Sequence, residues 1–220
     1  MVTAEPHSLF DFGPAAKNYD RWYETPDGRR HDRFQKAAVR ELLPTARRGD
    51  WLLDVGCGTG HWSRFFASLG FSVVGIDISP DMVAEARSHA FERCSFEAAD
   101  AGKLPFSDGA FEIAAAMATL EFIPHPEKAL EEMKRCLKPG GQIIIGTLNR
   151  LSSLNRRRLE NGEEPYSSAK MLSPKELRAL LKPHGSVQLL ISAERARQGE
   201  EGAFIVARVK LREGGQHAHL

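Results

Sequence analysis

Trp51-Leu52-Leu53-Asp54-Val55-Gly56-Cys57-Gly58-Thr59-Gly60 is an apolar run that ends in three glycines spaced by two. A second apolar run, Phe71 to Ile76, leads into Asp77, seventeen residues beyond Gly60. Closely spaced glycines after a strand let the backbone turn tightly beneath a ligand. An acid that ends the next strand can accept hydrogen bonds from both hydroxyls of a ribose. Together they predict a nucleoside cofactor. Dinucleotide-binding enzymes favour G-x-G-x-x-G, whereas Gly56, Gly58 and Gly60 form G-x-G-x-G with Asp54 two residues before the first.

Outward from this motif, short apolar runs alternate with amphipathic stretches, the pattern of a parallel sheet covered by helices. Strands are expected at 51–55, 71–76, 94–99, 111–117 and 142–148, and helices at 61–69, 80–89, 126–136 and 174–181. Ser79-Pro80 and Ser173-Pro174 read as an N-cap followed by proline at the first helical position, and Lys138-Pro139-Gly140-Gly141 as a turn. The late runs 187–192 and 203–209 flank a charged, turn-rich stretch and predict an antiparallel hairpin. The expected division is a cap segment at 1–34, built around Tyr19, Trp22, Tyr23 and a Thr-Pro-Asp-Gly turn signal. The main domain follows at 35–212, with a polar insert at 149–172, and then a disordered tail at 213–220.

Composition narrows the function. The 220 residues suffice for a single α/β domain, and 30 basic against 29 acidic side chains leave a formal charge of +1. No global field draws such a chain to nucleic acid or an anionic membrane. No apolar run approaches the ~18–20 residues of a membrane helix, and 1–12 lacks the pattern of a secretory signal, so a cytoplasmic protein is expected. Cys57, Cys94 and Cys136 are scattered and odd in number, unlike a disulfide framework or a zinc site.

The D-V-G-C-G-T-G stretch and the element order resemble the class I S-adenosylmethionine-dependent methyltransferases, in particular their small-molecule branch, over about residues 19–209. The resemblance implies a single Rossmann-like domain with a seven-stranded, mostly parallel sheet of order 3-2-1-4-5-7-6, strand seven antiparallel and helices on both faces. It implies that Gly56, Cys57, Gly58 and Gly60 wrap the methionine part of S-adenosyl-L-methionine and that Asp54 helps place its amino group. Asp77 then holds the ribose, Ile78 and Met82 flank the adenine, Asp100 and Ala101 meet its polar edge, and Met117 offers a carbonyl to the amino group. Tyr19 is expected to cover the cofactor. After strand four, nucleic-acid amino-methyltransferases carry Asn/Asp-Pro-Pro-aromatic, and this chain reads Ala118-Thr119-Leu120-Glu121 instead. A small-molecule acceptor is therefore expected, with no nucleic acid or membrane partner, acted on by a monomer or homodimer.

Glu121, His125 and Tyr23 are the candidate catalytic groups, and no metal ligands are expected. Quinone C-methylation is disfavoured, because strand five ends Gly146-Thr147-Leu148-Asn149 rather than Glu-x-Ser. Two other readings stand beside methyl transfer: a nicotinamide-dependent oxidoreductase, and a non-catalytic S-adenosylmethionine-binding regulatory or scaffold protein. The acceptor and the methylated atom stay open.

A sulfonium already activates its methyl group, and no side-chain cluster has metal-ligand spacing. Turnover is therefore expected to persist in EDTA; a loss that magnesium restores would contradict this.

Overall fold

The computed structural model describes residues 7–89, 91–192 and 202–211. A seven-stranded sheet forms the centre. After two short helices, α1 (Ala16–Tyr19) and α2 (Arg21–Glu24), and the longer α3 (Pro26–Leu42), the chain alternates β1 (Trp51–Val55), α4 (His61–Ser68), β2 (Ser72–Asp77), α5 (Pro80–Ser88) and β3 (Cys94–Ala98). It continues through β4 (Phe111–Met117), α6 (Pro126–Cys136), β5 (Leu137–Leu148), α7 (Ser153–Glu160), α8 (Pro174–Leu181), β6 (Gly185–Ser192) and β7 (Phe204–Leu211). The strand order is β3-β2-β1-β4-β5-β7-β6. β7 runs antiparallel to both β5 and β6, and the other pairs are parallel. The expected fold class and order are those observed. The expected tail at 213–220 and most of the stretch between β6 and β7 lie outside the described residues.

Side chains alternate across the sheet and feed two cores. Leu53, Val55, Ala114, Ala116, Ile143 and Ile145 pack under α6 and α8 through Leu130, Met133, Leu177 and Leu181. Leu52, Ile113, Ala115 and Ile144 pack on the opposite face against Val39 and Leu42 of α3 and Trp62, Phe65 and Phe66 of α4. A sheet covered on both sides buries its central strands completely, which leaves only the strand ends free to carry a site.

Two local readings differ from the structure. Thr25-Pro26-Asp27-Gly28, expected as a turn, starts a 17-residue helix that runs on through residues 34 and 35. Thr25 Oγ1 accepts from Gly28 N at 2.9 Å, which makes the threonine an N-cap and Pro26 the first helical residue. Lys138-Pro139-Gly140-Gly141 is a bulge at the start of β5 rather than a turn before it. Phe111 pairs with Leu137, and Ile113 pairs with Gln142.

Gly75, in the middle of β2, lies beneath the glycine loop. A Cβ there would sit 2.7 Å from Phe96 Cδ1 and 2.9 Å from Cys57 Cβ. Gly75→Ala is therefore expected to lower stability by about 1–3 kcal/mol through overpacking. A denaturation midpoint equal to wild type would show that the loop and Phe96 relax freely.

Candidate functional site

β1 delivers the chain into a loop in which Gly56, Gly58 and Gly60 all have positive φ, at 71°, 53° and 79°. A Cβ on Gly56 would collide with the Thr119 side chain, so glycine lets the loop after β4 close onto the loop after β1. A Cβ on Gly58 would meet nothing within 4 Å, which leaves the peptide bare toward open space where a ligand can approach. Gly60 is the N-cap of α4 and backs onto Phe96. The loop is pinned from below, because Gly56 N and Cys57 N both donate to Ile76 O, at 2.8 and 2.9 Å.

Asp77 closes this arrangement. Its Oδ2 accepts from Gly58 N at 2.8 Å and its Oδ1 from Ser79 N at 2.9 Å. Burial raises its pKa, and these backbone N–H groups oppose the shift. A carboxylate offers about four lone-pair directions, so two remain for the hydroxyls of a ribose. Asp54 lies behind the loop. It is fully buried, its Oδ2 accepts from Ser63 Oγ at 2.6 Å, and burial pushes its pKa up to about 7. Its Oδ1 has no hydrogen-bond partner among the described residues.

A cavity opens above the loop. Tyr19, Gly56, Cys57, Gly58, Asp77, Ile78, Met82, Asp100, Ala101 and Met117 line it, whereas Asp54 and Gly60, expected to contact the cofactor, do not. Thr119 Oγ1 donates to the carbonyls of Gly56 and Met117, each at 3.2 Å. Between Met117 and Thr119, Ala118 is held at φ 53°, an observed strain of the kind that gathers at functional sites.

The roof comes from the N-terminal segment. Leu9 N donates to Phe122 O at 2.8 Å and His7 Nδ1 lies 2.9 Å from Asp100 Oδ2, so this segment crosses the cavity. The Phe12 ring meets Phe122 edge-on at 4.9 Å and Tyr19 at 6.0 Å. Asp20 ties the cap to the glycine loop, accepting from Thr59 Oγ1 at 2.5 Å and pairing with Arg64 at 3.1 Å. Burial raises the pKa of Tyr19 and Tyr23 further above the ordinary phenol value, and both are protonated at neutral pH.

The candidate catalytic groups separate. Tyr23 lines the cavity, and His125 and Glu121 do not. His125 is exposed and stands at the N-terminus of α6. Glu121 is buried, with Oε1 accepting from Leu148 N at 3.0 Å, which makes it a strut for the end of β5. His61, at the start of α4, also lines the cavity. Its ring stacks on Tyr23 at 3.7 Å and 7°, and its Nε2 lies 2.6 Å from Asp32 Oδ1. Lys36 Nζ lies 3.0 Å from the same nitrogen and donates to Asp32 Oδ2 at 2.7 Å, so His61, Asp32 and Lys36 form one polar cluster. Sequence spacing gave no signal for the His61–Asp32 pair, since Asp32 arrives from α3.

Burial pushes Glu121 from the ordinary 4.5 up to about 7, against the Leu148 N–H. The folded state therefore holds this proton more tightly, and the stability it contributes is full below about 4.5 and is lost as pH rises toward about 7. Glu121→Gln is expected to gain stability relative to wild type between pH 5 and pH 7.5, as read from urea midpoints. A difference that does not change with pH would contradict this. Asp54 contributes a slope of the same sign to both proteins.

Comparison with known proteins agrees with this geometry. Residues 53–145 match the methyltransferase domain family. An uncharacterised protein of Methanocaldococcus jannaschii is 32% identical over 176 residues, covering 79% of this chain and 80% of that one. The ubiquinone biosynthesis O-methyltransferase of Paraburkholderia phymatum is 33% identical over 163 residues, covering 68% of this chain and 66% of the enzyme. The malonyl-[acyl-carrier protein] O-methyltransferase of Pectobacterium atrosepticum is 36% identical over 138 residues, covering 62% and 51%. The chain thus spans about half to two thirds of the length of these two named enzymes. A solved S-adenosylmethionine-dependent methyltransferase of Thermotoga maritima superposes with a TM-score of 0.71 at 28% identity, covering 91% of this chain and 98% of that one. With the sheet order, the bare Gly58 and the paired acids Asp54 and Asp77, these likenesses give one result: the chain belongs to the class I S-adenosylmethionine-dependent methyltransferases.

Proposed function

We propose that the protein transfers a methyl group from S-adenosyl-L-methionine to a small-molecule acceptor, leaving S-adenosyl-L-homocysteine. One observation carries the reading. A second chamber, of about 360 Å³, shares Phe12, Tyr19, Tyr23, Trp62, Ala118 and Phe122 with the cofactor cavity. That volume falls within the range of about 300–1,000 Å³ typical of small-ligand sites. S-adenosylmethionine, when bound, supplies a methyl group on a sulfonium.

The chain's own residues do the remaining work. Asp77 accepts from the ribose hydroxyls while holding Gly58 in place, and the bare Gly58 peptide lets the ligand close on the loop. Ile78 and Met82 flank the adenine, and Asp100 with Ala101 meets its polar edge. Tyr19, Tyr23, Phe12 and Phe122 exclude water and present ring faces and edges around the reacting atoms. Alignment of acceptor and donor is the main demand, worth up to about 7–11 kcal/mol. His61 stacks on Tyr23 from the cofactor side and does not line the second chamber. In the same reading residues 1–34 act as a cap over the domain, and the protein works in the cytoplasm as a monomer or homodimer.

S-adenosylhomocysteine at about 100 times its dissociation constant is expected to add about 2.7 kcal/mol, or roughly 5–10 °C in melting temperature. Asp77→Ala should weaken its binding by about 1–3 kcal/mol. A shift with NADH and none with either adenosyl ligand would overturn the reading. Unchanged affinity in the variant would remove Asp77 from the ribose.

A further inference from the structure

The second chamber is not chemically uniform. Trp22, Tyr166, Phe204 and Arg158 line it without reaching the cofactor cavity. Arg158, on α7 in the polar insert, is half-buried, and its guanidinium carbon stacks 4.0 Å from the centre of the Tyr166 ring. Its Nη1 donates to Asn155 Oδ1 at 3.3 Å. Asn155 is itself buried and locked, with Nδ2 donating to Asn149 O and Ala203 O, each at 2.9 Å. The arginine is therefore held in one orientation, facing the chamber.

Its charge is unanswered. Among the described residues Arg158 makes no ion pair, and only one of its five N–H donors has a protein acceptor. Glu164, the one carboxylate lining the chamber, is exposed at the rim and accepts from Ser168 Oγ at 2.9 and 3.1 Å. Arg156 and Arg157, its neighbours in the run of three, are exposed and do not line the chamber.

We infer that the acceptor is an aromatic carboxylate: its carboxylate pairs with Arg158, its ring lies among Trp22, Tyr23, Tyr166 and Phe204, and its nucleophilic atom reaches the rim shared with the cofactor cavity. The inference rests on the methyl-transfer reading and adds the acceptor's chemistry to it. A planar guanidinium held by stacking matches a carboxylate through two parallel N–H bonds. One arginine with an acid at the rim suits a monoanion better than a phosphate dianion. Four of the five N–H donors of Arg158 are left for a bound anion to use. His31, which also lines the chamber, has its pKa lowered by burial and then by the charges of Arg158 and Arg30, so Arg158 remains the positive group there.

The test titrates protein saturated with S-adenosylhomocysteine with 2-, 3- and 4-hydroxybenzoate and with the three matching neutral amides. At least one acid is expected to bind about ten- to a hundredfold more tightly than its amide, as charge-assisted hydrogen bonds imply. Arg158→Met should remove that preference, leave amide binding unchanged and keep full affinity for S-adenosylhomocysteine, which also reports a folded protein. Arg158→Lys should retain part of the preference, and Arg157→Met all of it. Equal binding of acid and amide, binding of neither, or a preference that survives in Arg158→Met would overturn the inference. Failure of wild-type protein to bind S-adenosylhomocysteine would instead fault the methyl-transfer reading.

Discussion

The contact between the loops after β1 and β4 is the constraint on which the site depends. Gly56 and Thr119 lie so close that no side chain fits between them. Thr119 uses that proximity to donate to the carbonyls of both Gly56 and Met117. The strand order places β1 and β4 side by side at the point where the direction of winding reverses, and there the loops at the strand ends diverge and leave a crevice. The Gly56–Thr119 contact sets the floor of that crevice. Asp77 and Ile76 O set its side by gripping the loop's backbone N–H groups. The cradle is therefore built largely by backbone geometry.

The cap is coupled to the cradle through polar contacts. Asp20 accepts from Thr59 in the loop itself and pairs with Arg64 in the first turn and a half of α4. Beside it, Tyr23 stacks on His61, and His61 is bonded to Asp32 of α3. Helix α3 also supplies Val39 and Leu42 to the core beneath α4, so the cap is anchored by a helix that is itself part of the packed domain. Aromatic side chains from the cap then separate the two chambers while lining both. The roof is thus anchored at both the loop and the core.

How much was legible in the sequence follows from the range of the interactions. The strands and helices were readable because βαβ alternation and the glycine loop are local signals, and the strand order came with the family resemblance that the loop carries. Ser79-Pro80 and Ser173-Pro174 were read as helix starts, but Thr25-Pro26 was not. The same chemistry operates there, and the following Asp27-Gly28 pointed to a turn instead. The cavity-lining positions Ile78, Met82, Asp100 and Ala101 were placed by resemblance. Asp54 and Gly60 belong to the same motif but do not line the cavity: Asp54 is buried against Ser63, and Gly60 caps α4 against Phe96. Glu121 looked like an accessible polar group because nothing nearby in sequence reveals that Leu148 N awaits it. The Asp32–His61 pair, the crossing of the N-terminal segment and the uncovered Arg158 depend on tertiary packing, and no spacing rule announces them.

The central claim is that one adenosyl ligand sits on the Gly56–Gly60 loop with its sulfur turned toward the aromatic chamber. A crystal structure with S-adenosylhomocysteine tests it most directly. The account predicts ribose hydroxyls on Asp77, adenine between Ile78 and Met82, and the sulfur at the rim bounded by Tyr19, Tyr23 and Ala118. A ligand seated elsewhere, or one whose sulfur faces away from that rim, would contradict it.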